Sequence, residues 1–182
     1  MIFVPTTLPG AFIIELSVHT DERGSFARTM CQDEFRAHGI NEVFVQQNIS
    51  LTRKQGTVRG MHFQREPHRE GKLVRCVRGA IFDVIIDLRL ESSTYLSHLC
   101  FWLDGTTPTQ IYVPPGFAHG FQTLTDDVEV TYSLSHRYVP SAQGGLAFDD
   151  PILDIAWPLS VTTLSDRDAT WPRIEPLVPP SL

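Results

Sequence analysis

Residues suited to proton transfer and charge stabilisation fall in one block of the chain. On a regular strand His62 and Gln64 share one face, and Met61 and Phe63 share the other. The apolar pair would pack against a second layer, so the polar pair would line a barrel interior. A buried imidazole needs a hydrogen-bond partner, so His62 is either a satisfied core histidine or a site residue. Lys72 heads the next strand, and the cost of burying its ammonium there favours a functional role.

A second block, residues 114–121 (PPGFAHGF), contains His119. Pro and Gly before a strand form a rigid turn, so the simplest interpretation is a hairpin with His119 exposed. Together the two blocks resemble the paired motifs of the cupin superfamily, in which three His and one Glu usually bind a metal. Here Gln64 takes the place of the second His, no matching Glu follows, and Lys72 lies nearby. A cation beside an incomplete ligand set makes a poor divalent-metal site, so we expect no catalytic metal and no cofactor.

Further short motifs follow one another along nearly the whole chain. They are residues 23–26 (RGSF), 46–50 (QQNIS), 59–64 (RGMHFQ), 71–75 (GKLVR), 115–121 (PGFAHGF), Tyr132, Tyr138, 150–151 (DP), 157–158 (WP) and 164–168 (LSDRD). In order and spacing this series resembles the dTDP-4-dehydrorhamnose 3,5-epimerase family. The resemblance implies a single domain over residues 1–182, all-β, with a cupin-type double-stranded β-helix jelly roll and one or two short helices. It also implies a homodimer in which an N-terminal strand commonly reaches the partner's site.

The resemblance implies a chemistry for the first block. Members of that family act on a nucleotide-linked 4-keto-6-deoxy sugar, whose ketone acidifies the C–H bonds at C3 and C5. His62 would remove a proton, with Asp168 as the carboxylate that orients its ring. Lys72 would stabilise negative charge on the ketone oxygen, and Tyr132 would return a proton to the opposite face. Alternation in Val128–Leu134 lets Tyr132 point inward, although taken alone it is better explained as a core tyrosine.

The resemblance also implies a set of substrate-binding residues. Arg23, Arg59 and His119 would hold the diphosphate, since arginine suits bidentate phosphate contacts. On a strict strand Arg59 and His62 face opposite ways, so a bulge at Gly60 would be needed to re-aim one of them. Gln46, Asn48 and Tyr138 would read or stack on the pyrimidine base, and Phe26 is a further substrate-binding candidate. Ordinary surface charge is the alternative explanation for the basic residues, above all for Arg23.

Several positions differ from the common family pattern. They are Arg28, Tyr112, Ser133, Gly144-Gly145 and Phe148-Asp149. Arg28 stands where an acidic residue is usual, and an arginine would suit the N3 acceptor of cytosine as a carboxylate suits the N3–H of thymine. The favoured alternative is that Arg28 points to solvent or joins the phosphate cluster.

Other functions remain open at this point. A narrower enzyme would epimerise only one carbon or isomerise a ketosugar. A metal-dependent cupin oxygenase or isomerase is disfavoured by Gln64, and a non-catalytic sugar-binding cupin is disfavoured by the joint presence of His62, Lys72, Tyr132 and Asp168.

The elements that must position these residues are short and separated by 12 Gly and 13 Pro, which favours an all-β domain. Alternation places Phe82, Val84, Ile86 and Leu88 on one face of a strand, with Asp83 and Asp87 on the other. The predicted strands are Glu42–Gln47, Leu73–Val77, Ile81–Leu88, Leu99–Leu103, Gln110–Val113 and Val128–Leu134. A hairpin turn is predicted at Arg78-Gly79, a short helix at Asp33–His38, and a surface-wrapping segment from Asp150 onward.

Composition limits the classes of function. The 182 residues fit one domain, and a net charge of -6 disfavours nucleic acid as a partner. No apolar run is long enough to span a membrane, so we expect no membrane association. The apolar N-terminus lacks a basic region and contains Pro5 and Pro9, so it fits a signal peptide poorly. Three cysteines without paired spacing suggest reduced thiols and a cytoplasmic protein.

Overall fold

A computed structural model describes residues 1–175, and these form thirteen strands, one α-helix and two short 3-10 helices. Residues 176–182 of the predicted domain lie outside the described part. No helix within residues 1–175 has the length and apolar character to cross a membrane. The elements are β1 (Ile2–Pro5), β2 (Phe12–Glu15), β3 (Val18–Asp21), β4 (Gly24–Ala27), α1 (Gln32–Ala37), β5 (Gln46–Thr52), β6 (Val58–Gln64), β7 (Lys72–Arg78), β8 (Ala80–Asp87), β9 (His98–Asp104), β10 (Thr109–Val113), β11 (Phe117–Thr123), β12 (Val128–Leu134), β13 (Gln143–Gly145) and the 3-10 helices Pro140–Ala142 and Asp168–Thr170.

Two antiparallel sheets face each other across an apolar core. One has six strands in the order β1-β2-β10-β7-β12-β5, and the other has five in the order β13-β6-β11-β8-β9. Val74 and Ile111 of the larger sheet pack against Ile85, Phe117 and Phe121 of the smaller one. Because side chains alternate along a strand, one face of each of β7, β8, β9, β10, β11 and β12 contributes to this core. The predicted all-β, cupin-type jelly roll is confirmed.

Each sheet also has a covered outer face. Helix α1 packs Phe35 on the outside of the six-stranded sheet, against Leu73 and Tyr112. The chain beyond Asp150 crosses the outside of the five-stranded sheet, where Leu153 and Trp157 join an apolar cluster with β8. The predicted surface-wrapping segment is therefore confirmed for residues 150–175, and it carries Asp168 back toward the barrel.

Strand β8 shows the predicted alternation and is buried on both faces. Phe82, Val84 and Ile86 belong to the outer cluster beneath the C-terminal segment. Asp83 and Asp87 point the other way and are fully buried. A strand buried on both sides accepts carboxylates only where hydrogen-bond donors meet them, and both aspartates have such donors.

Most predicted elements agree with the structure to within one residue at each end, including the helix and the strands corresponding to β7, β8, β9, β10 and β12. The turn at Arg78-Gly79 does join β7 to β8. The strand predicted over Glu42–Gln47 is wrong in its bounds, because β5 begins at Gln46. The apolar alternation that suggested it continues through Ile49, but the backbone pairs regularly with β12 only from Gln46 onward. Apolar alternation identifies a strand's face and leaves its pairing partner undefined.

The Asp87 carboxylate holds the loop that follows β8. It accepts hydrogen bonds from Arg89 Nη2 at 2.7 Å, from the Ser92 hydroxyl at 2.6 Å and from the Thr94 hydroxyl at 2.7 Å. Arg89 also donates to the carbonyl of Pro9, which ties this loop to the N-terminal segment. Burial alone would raise the pKa of Asp87, but these donors outweigh it and hold the pKa below its usual range.

We predict that Asp87→Asn lowers the free energy of unfolding by about 3 kcal/mol at neutral pH, because Arg89 loses its buried partner. A carboxyl with a depressed folded-state pKa stabilises the fold above its unfolded pKa of about 3.9, and that contribution disappears as pH falls through the folded pKa. The difference between the two proteins should therefore shrink below about pH 4. Urea unfolding at neutral and acidic pH measures it. Asp149→Asn, which removes an exposed pair with Arg173 at 2.7 Å, should change stability by less than about 0.5 kcal/mol. Equal losses in both variants would contradict this role.

Candidate active site

A cavity of about 710 Å³ opens between the two sheets, and its walls carry most of the residues that the sequence analysis singled out. It contains the four predicted catalytic residues and five of the predicted binding residues. These are His62, Lys72, Tyr132 and Asp168, together with Gln46, Asn48, Arg59, His119 and Tyr138. Strands from both sheets and the C-terminal segment supply them, so only the completed fold assembles the set.

His62 of β6 and Asp168 form a pair in which Nε2 lies 2.6 Å from Oδ1. A carboxylate at that distance keeps the proton on Nε2, which leaves Nδ1 as the basic nitrogen of the neutral ring. Burial alone would raise the pKa of Asp168, but hydrogen bonds from His62 and Trp171 outweigh it, and the pKa lies below its usual range. The carboxylate is therefore ionised at neutral pH and orients the imidazole.

Lys72 reaches from one sheet to the other. It begins β7 in the six-stranded sheet, and its Nζ donates to the carbonyl of His62 in the five-stranded sheet at 3.0 Å. The side chain is 8% exposed, and burial lowers the pKa of Lys72 while the carboxylates of Glu70 and Asp83 oppose that effect. Glu70 Oε1 lies 3.4 Å from Nζ. Glu70 was not identified from the sequence; it lies two residues before the start of β7, where strand alternation gives no signal.

A second histidine–carboxylate pair lies beside the first. His119 of β11 stands opposite His62 in the ladder, and its Nε2 is 2.7 Å from Oδ2 of Asp83. Both side chains are buried, so His119 is not the exposed hairpin residue of the simplest interpretation. From the sequence, Asp83 was predicted to lie on the face of β8 opposite Phe82 and Val84, with no role in the site. Its partner, His119, lies 36 residues further along the chain, and no local sequence pattern indicates that contact.

Tyr132 lines the cavity from the six-stranded sheet, paired in the ladders with Val74 on one side and Asn48 on the other. His62 belongs to the five-stranded sheet. The imidazole and the phenol therefore project from facing walls, as the jelly roll requires of inward residues on opposite sheets. A flat group bound between them would meet a base on one face and an acid on the other.

The bulge predicted at Gly60 is present. His119 pairs with His62, and Phe121 pairs with Arg59. Between these two pairs β6 advances by three residues and β11 by only two. A Cβ at Gly60 would lie 2.6 Å from the Cα of Gly120, and the φ of Gly60 is +144°, so only glycine fits this crossing. The extra residue turns Arg59 and His62 to the same side, and both line the cavity.

Gln64 fastens two loops at the cavity mouth. Its amide donates to the carbonyls of His68 and Arg137, at 3.1 and 3.2 Å, and its oxygen accepts the N–H of Val139 at 2.6 Å. The residue at the second-histidine position of the cupin motif thus holds the loop that bears Tyr138. Among residues 1–175 no group of three His, Cys, Asp or Glu side chains converges as a metal ion would require.

The three polar residues assigned to the nucleotide base are joined to one another. Gln46 accepts the N–H of Tyr138 at 3.1 Å and donates to Asn48 Oδ1 at 3.2 Å. The Tyr138 hydroxyl donates to Gln143. This chain of hydrogen bonds fixes an aromatic ring, 45% exposed, at the edge of the cavity.

Two predicted binding residues do not reach this chain's cavity. Arg23 and Phe26 lie on the β3–β4 hairpin, where Arg23 pairs with the neighbouring Asp21 and Phe26 is 72% exposed. Arg28 likewise lies outside the cavity, and its guanidinium is 3.0 Å from Glu34. Within one chain, then, Arg28 meets a carboxylate of helix α1, in line with the interpretation that it does not select the base.

Comparison with known proteins places this geometry in a family. The family model described as dTDP-4-dehydrorhamnose 3,5-epimerase matches residues 5–176. The dTDP-4-dehydrorhamnose 3,5-epimerase of Methanothermobacter thermautotrophicus is 42% identical, with 93% of this chain and 92% of the relative aligned. The structure of the Bacillus anthracis enzyme with TDP and pyrophosphate bound has a TM-score of 0.92 and 35% identity, and the match covers 94% of this chain and 98% of that one.

A third relative has a narrower activity. It is a 3'-monoepimerase from Streptomyces bikiniensis, solved in complex with dTDP-quinovose, with a TM-score of 0.85 and 32% identity over 93% of this chain and 86% of that one. The family model extends over almost the whole described fold, including every residue that lines the cavity. The chain belongs to the dTDP-4-dehydrorhamnose 3,5-epimerase family and is an isomerase of the carbohydrate epimerase class.

Proposed function

We propose that this protein inverts C3 and C5 of a dTDP-linked 4-keto-6-deoxy sugar by proton removal and return. One observation carries the proposal: the His62–Asp168 pair and the Tyr132 hydroxyl line facing walls of one cavity, and the buried ammonium of Lys72 spans the two sheets beside them. Inversion at a carbon beside a ketone needs a base and an acid on opposite faces, together with a cation at the ketone oxygen.

The reaction follows from these positions. Nδ1 of neutral His62 takes the proton from the carbon beside the ketone, and the C–H electron pair moves into the C–C bond as the carbonyl becomes an enolate. Asp168 stabilises the imidazolium that forms. Lys72 donates a hydrogen bond to the enolate oxygen, and preorganised charge of this kind contributes several kcal/mol to catalysis. Tyr132 then gives its proton to the opposite face of the carbon, and solvent reprotonates the phenolate as His62 releases its proton.

The remaining cavity residues fit the nucleotide diphosphate. Arg59 and His119 are cationic or proton-donating groups on adjacent strands, suited to phosphate oxygens. Tyr138, held by Gln46, offers a ring on which a pyrimidine can stack. Thymine is the base we propose, because the family model and the relatives are named for dTDP sugars. We place the enzyme in the cytoplasm, without a metal or cofactor.

We further propose a homodimer in which the β3–β4 hairpin completes the partner's site. Arg23 and Phe26 lie outside the cavity of their own chain, yet the family resemblance assigns both to substrate binding. The outer face of β5 exposes Ile49 and Leu51, each 59% exposed, at the edge of the six-stranded sheet. An apolar sheet edge of this kind is a natural surface for a second copy.

Incubation with dTDP-4-keto-6-deoxyglucose in deuterated water tests the reaction. We expect deuterium at C3 and C5 with the wild type, loss of all exchange in His62→Ala, and slower inversion than exchange in Tyr132→Phe, because base and acid act on opposite faces. His98→Ala on β9, outside the cavity, is the matched control and should behave as wild type. Deuterium at C3 alone would identify a single-position epimerase. Exchange that persists in His62→Ala would place the base elsewhere.

The pH profile should depend on the Lys72–Glu70 pair. Lys72 must be protonated to stabilise the enolate, so activity falls as pH rises through its pKa, which burial already lowers. Glu70→Gln removes the carboxylate that opposes this lowering, so the basic limb of kcat/KM should move to lower pH. Lys72→Met should reduce kcat about 100-fold or more while dTDP binding, measured by calorimetry, changes little. An unmoved basic limb in Glu70→Gln would contradict the coupling.

Light scattering should show a dimer at micromolar concentration, and Leu51→Asp should weaken the dimer by placing a charge in the apolar edge.

Arg23→Ala should leave the dimer intact and weaken dTDP binding about 10-fold. Co-expressed Arg23→Ala and His62→Ala chains should recover activity, because a mixed dimer contains one site with both residues intact. A monomer, or no recovery in the mixed protein, would contradict an Arg23 that acts across the interface.

A further inference from the structure

The oxygen of Asp168 that holds His62 has a second donor. The indole N–H of Trp171 lies 3.1 Å from the same Oδ1 that accepts Nε2–H of His62 at 2.6 Å. Trp171 immediately follows the 3-10 helix Asp168–Thr170. One short segment therefore carries both the carboxylate and the indole that donates to it. A single carboxylate oxygen with two donors has little freedom to rotate away from the imidazole.

The indole is itself held on several sides. Its ring meets the His62 ring edge-on, with centroids 6.2 Å apart and planes 70° apart. A Cβ built on Gly145 would lie 2.3 Å from two indole carbons, so the ring packs directly on the backbone of β13. Gly145 pairs with His62 in the ladder, and the Arg167 guanidinium covers the ring at 5.1 Å from its centroid. Trp171 is not among the residues that line the cavity, and its N–H contacts the Asp168 carboxylate.

We propose that Trp171 is a positioning residue for the base: its N–H fixes the Asp168 carboxylate and, by sharing the oxygen, limits how strongly that carboxylate favours the protonated imidazole. This inference rests on the proposed function, in which His62 must be neutral to accept a proton. A carboxylate that already accepts an indole N–H attracts a protonated His62 less strongly. Loss of the N–H strengthens the attraction to the imidazolium, so the base becomes protonated at higher pH.

Other charged and titratable groups surround His62 and must be considered with it. Lys72 donates to its carbonyl, His119 stands opposite it in the ladder, and Arg167 lies over the indole. The next neighbours are Glu70 on Lys72, Asp83 on His119 and the Tyr132 hydroxyl of the cavity wall. Substitution of Trp171 by Phe keeps all of these residues and an aromatic ring, but removes the indole N–H together with part of the ring. Comparison with Trp171→Leu therefore separates the effect of the donor from that of ring packing.

The test is the pH dependence of kcat/KM for deuterium exchange in wild type and Trp171→Phe. Phe keeps an aromatic ring beside Gly145, lacks the N–H donor and has a smaller ring system. We expect the acid limb, which reflects protonation of the His62–Asp168 pair, to move up by about 0.5–1 pH unit. We expect kcat/KM above that limb to stay within about threefold of wild type. An unmoved acid limb, or one displaced to lower pH, overturns the proposal.

A packing role for Trp171 predicts a different pattern. If the ring only anchors the C-terminal segment, Trp171→Phe should match wild type and only Trp171→Leu should lose activity and melting temperature. The positioning role predicts the same upward displacement of the acid limb in both variants. Trp102→Phe, at a 67% exposed tryptophan on β9, is the matched control and should leave the profile unchanged. Absence of exchange in the wild type would instead reject the proposed function.

Fluorescence provides a readout that needs no substrate. A protonated imidazole next to an indole quenches its emission, so the signal lost in Trp171→Phe, obtained by subtraction from wild type, should fall as His62 becomes protonated. Its midpoint should agree with the acid limb measured by exchange. In His62→Asn the pH-dependent part of this signal should vanish. A Trp171 signal that is independent of pH in the wild type would contradict a close coupling of indole and base.

Discussion

Burial of the Lys72 ammonium is the constraint on which the rest of the site depends. An unpaired ammonium in a protein interior costs several kcal/mol, so its surroundings must supply acceptors. The His62 carbonyl and Glu70 supply them directly, and Asp83 adds a further negative charge. Because the His62 carbonyl belongs to the opposite sheet, satisfying Lys72 also sets the spacing of the sheets beside the cavity. The base and the cation are thereby held at a distance fixed by the fold rather than by mobile side chains.

The two histidine–aspartate pairs share a backbone frame yet have different surroundings. His62 and His119 face each other across the β6–β11 ladder next to the bulge at Gly60. Asp83 comes from β8, which is buried from Ile81 to Asp87, whereas Asp168 comes from the C-terminal segment and has a second donor in Trp171. The same pair of residue types is therefore held by a strand interior in one case and by a wrapped segment in the other.

Local sequence signals were sufficient for much of the fold and for part of the site. Alternation predicted β8 and β12, and the conflict between Arg59 and His62 predicted the bulge at Gly60. Contacts between distant segments could not be predicted in this way. Glu70 and Asp83 gained their roles from partners in other strands, and Trp171 lies in a segment with no periodicity. The start of β5 was misplaced for the same reason, since pairing partners decide where a ladder begins.

The position of Asp168 in the chain has a consequence during synthesis. His62, Lys72, His119 and Tyr132 all leave the ribosome before the segment that carries Asp168, which follows His62 by 106 residues. A nascent chain can therefore form both sheets while its histidine has neither an orienting carboxylate nor the indole that shares it. In the mechanism proposed above, His62 therefore gains its orienting carboxylate only once the closing segment has docked on the outer face of the smaller sheet. Under that mechanism, translation order delays proton abstraction until both sheets have formed.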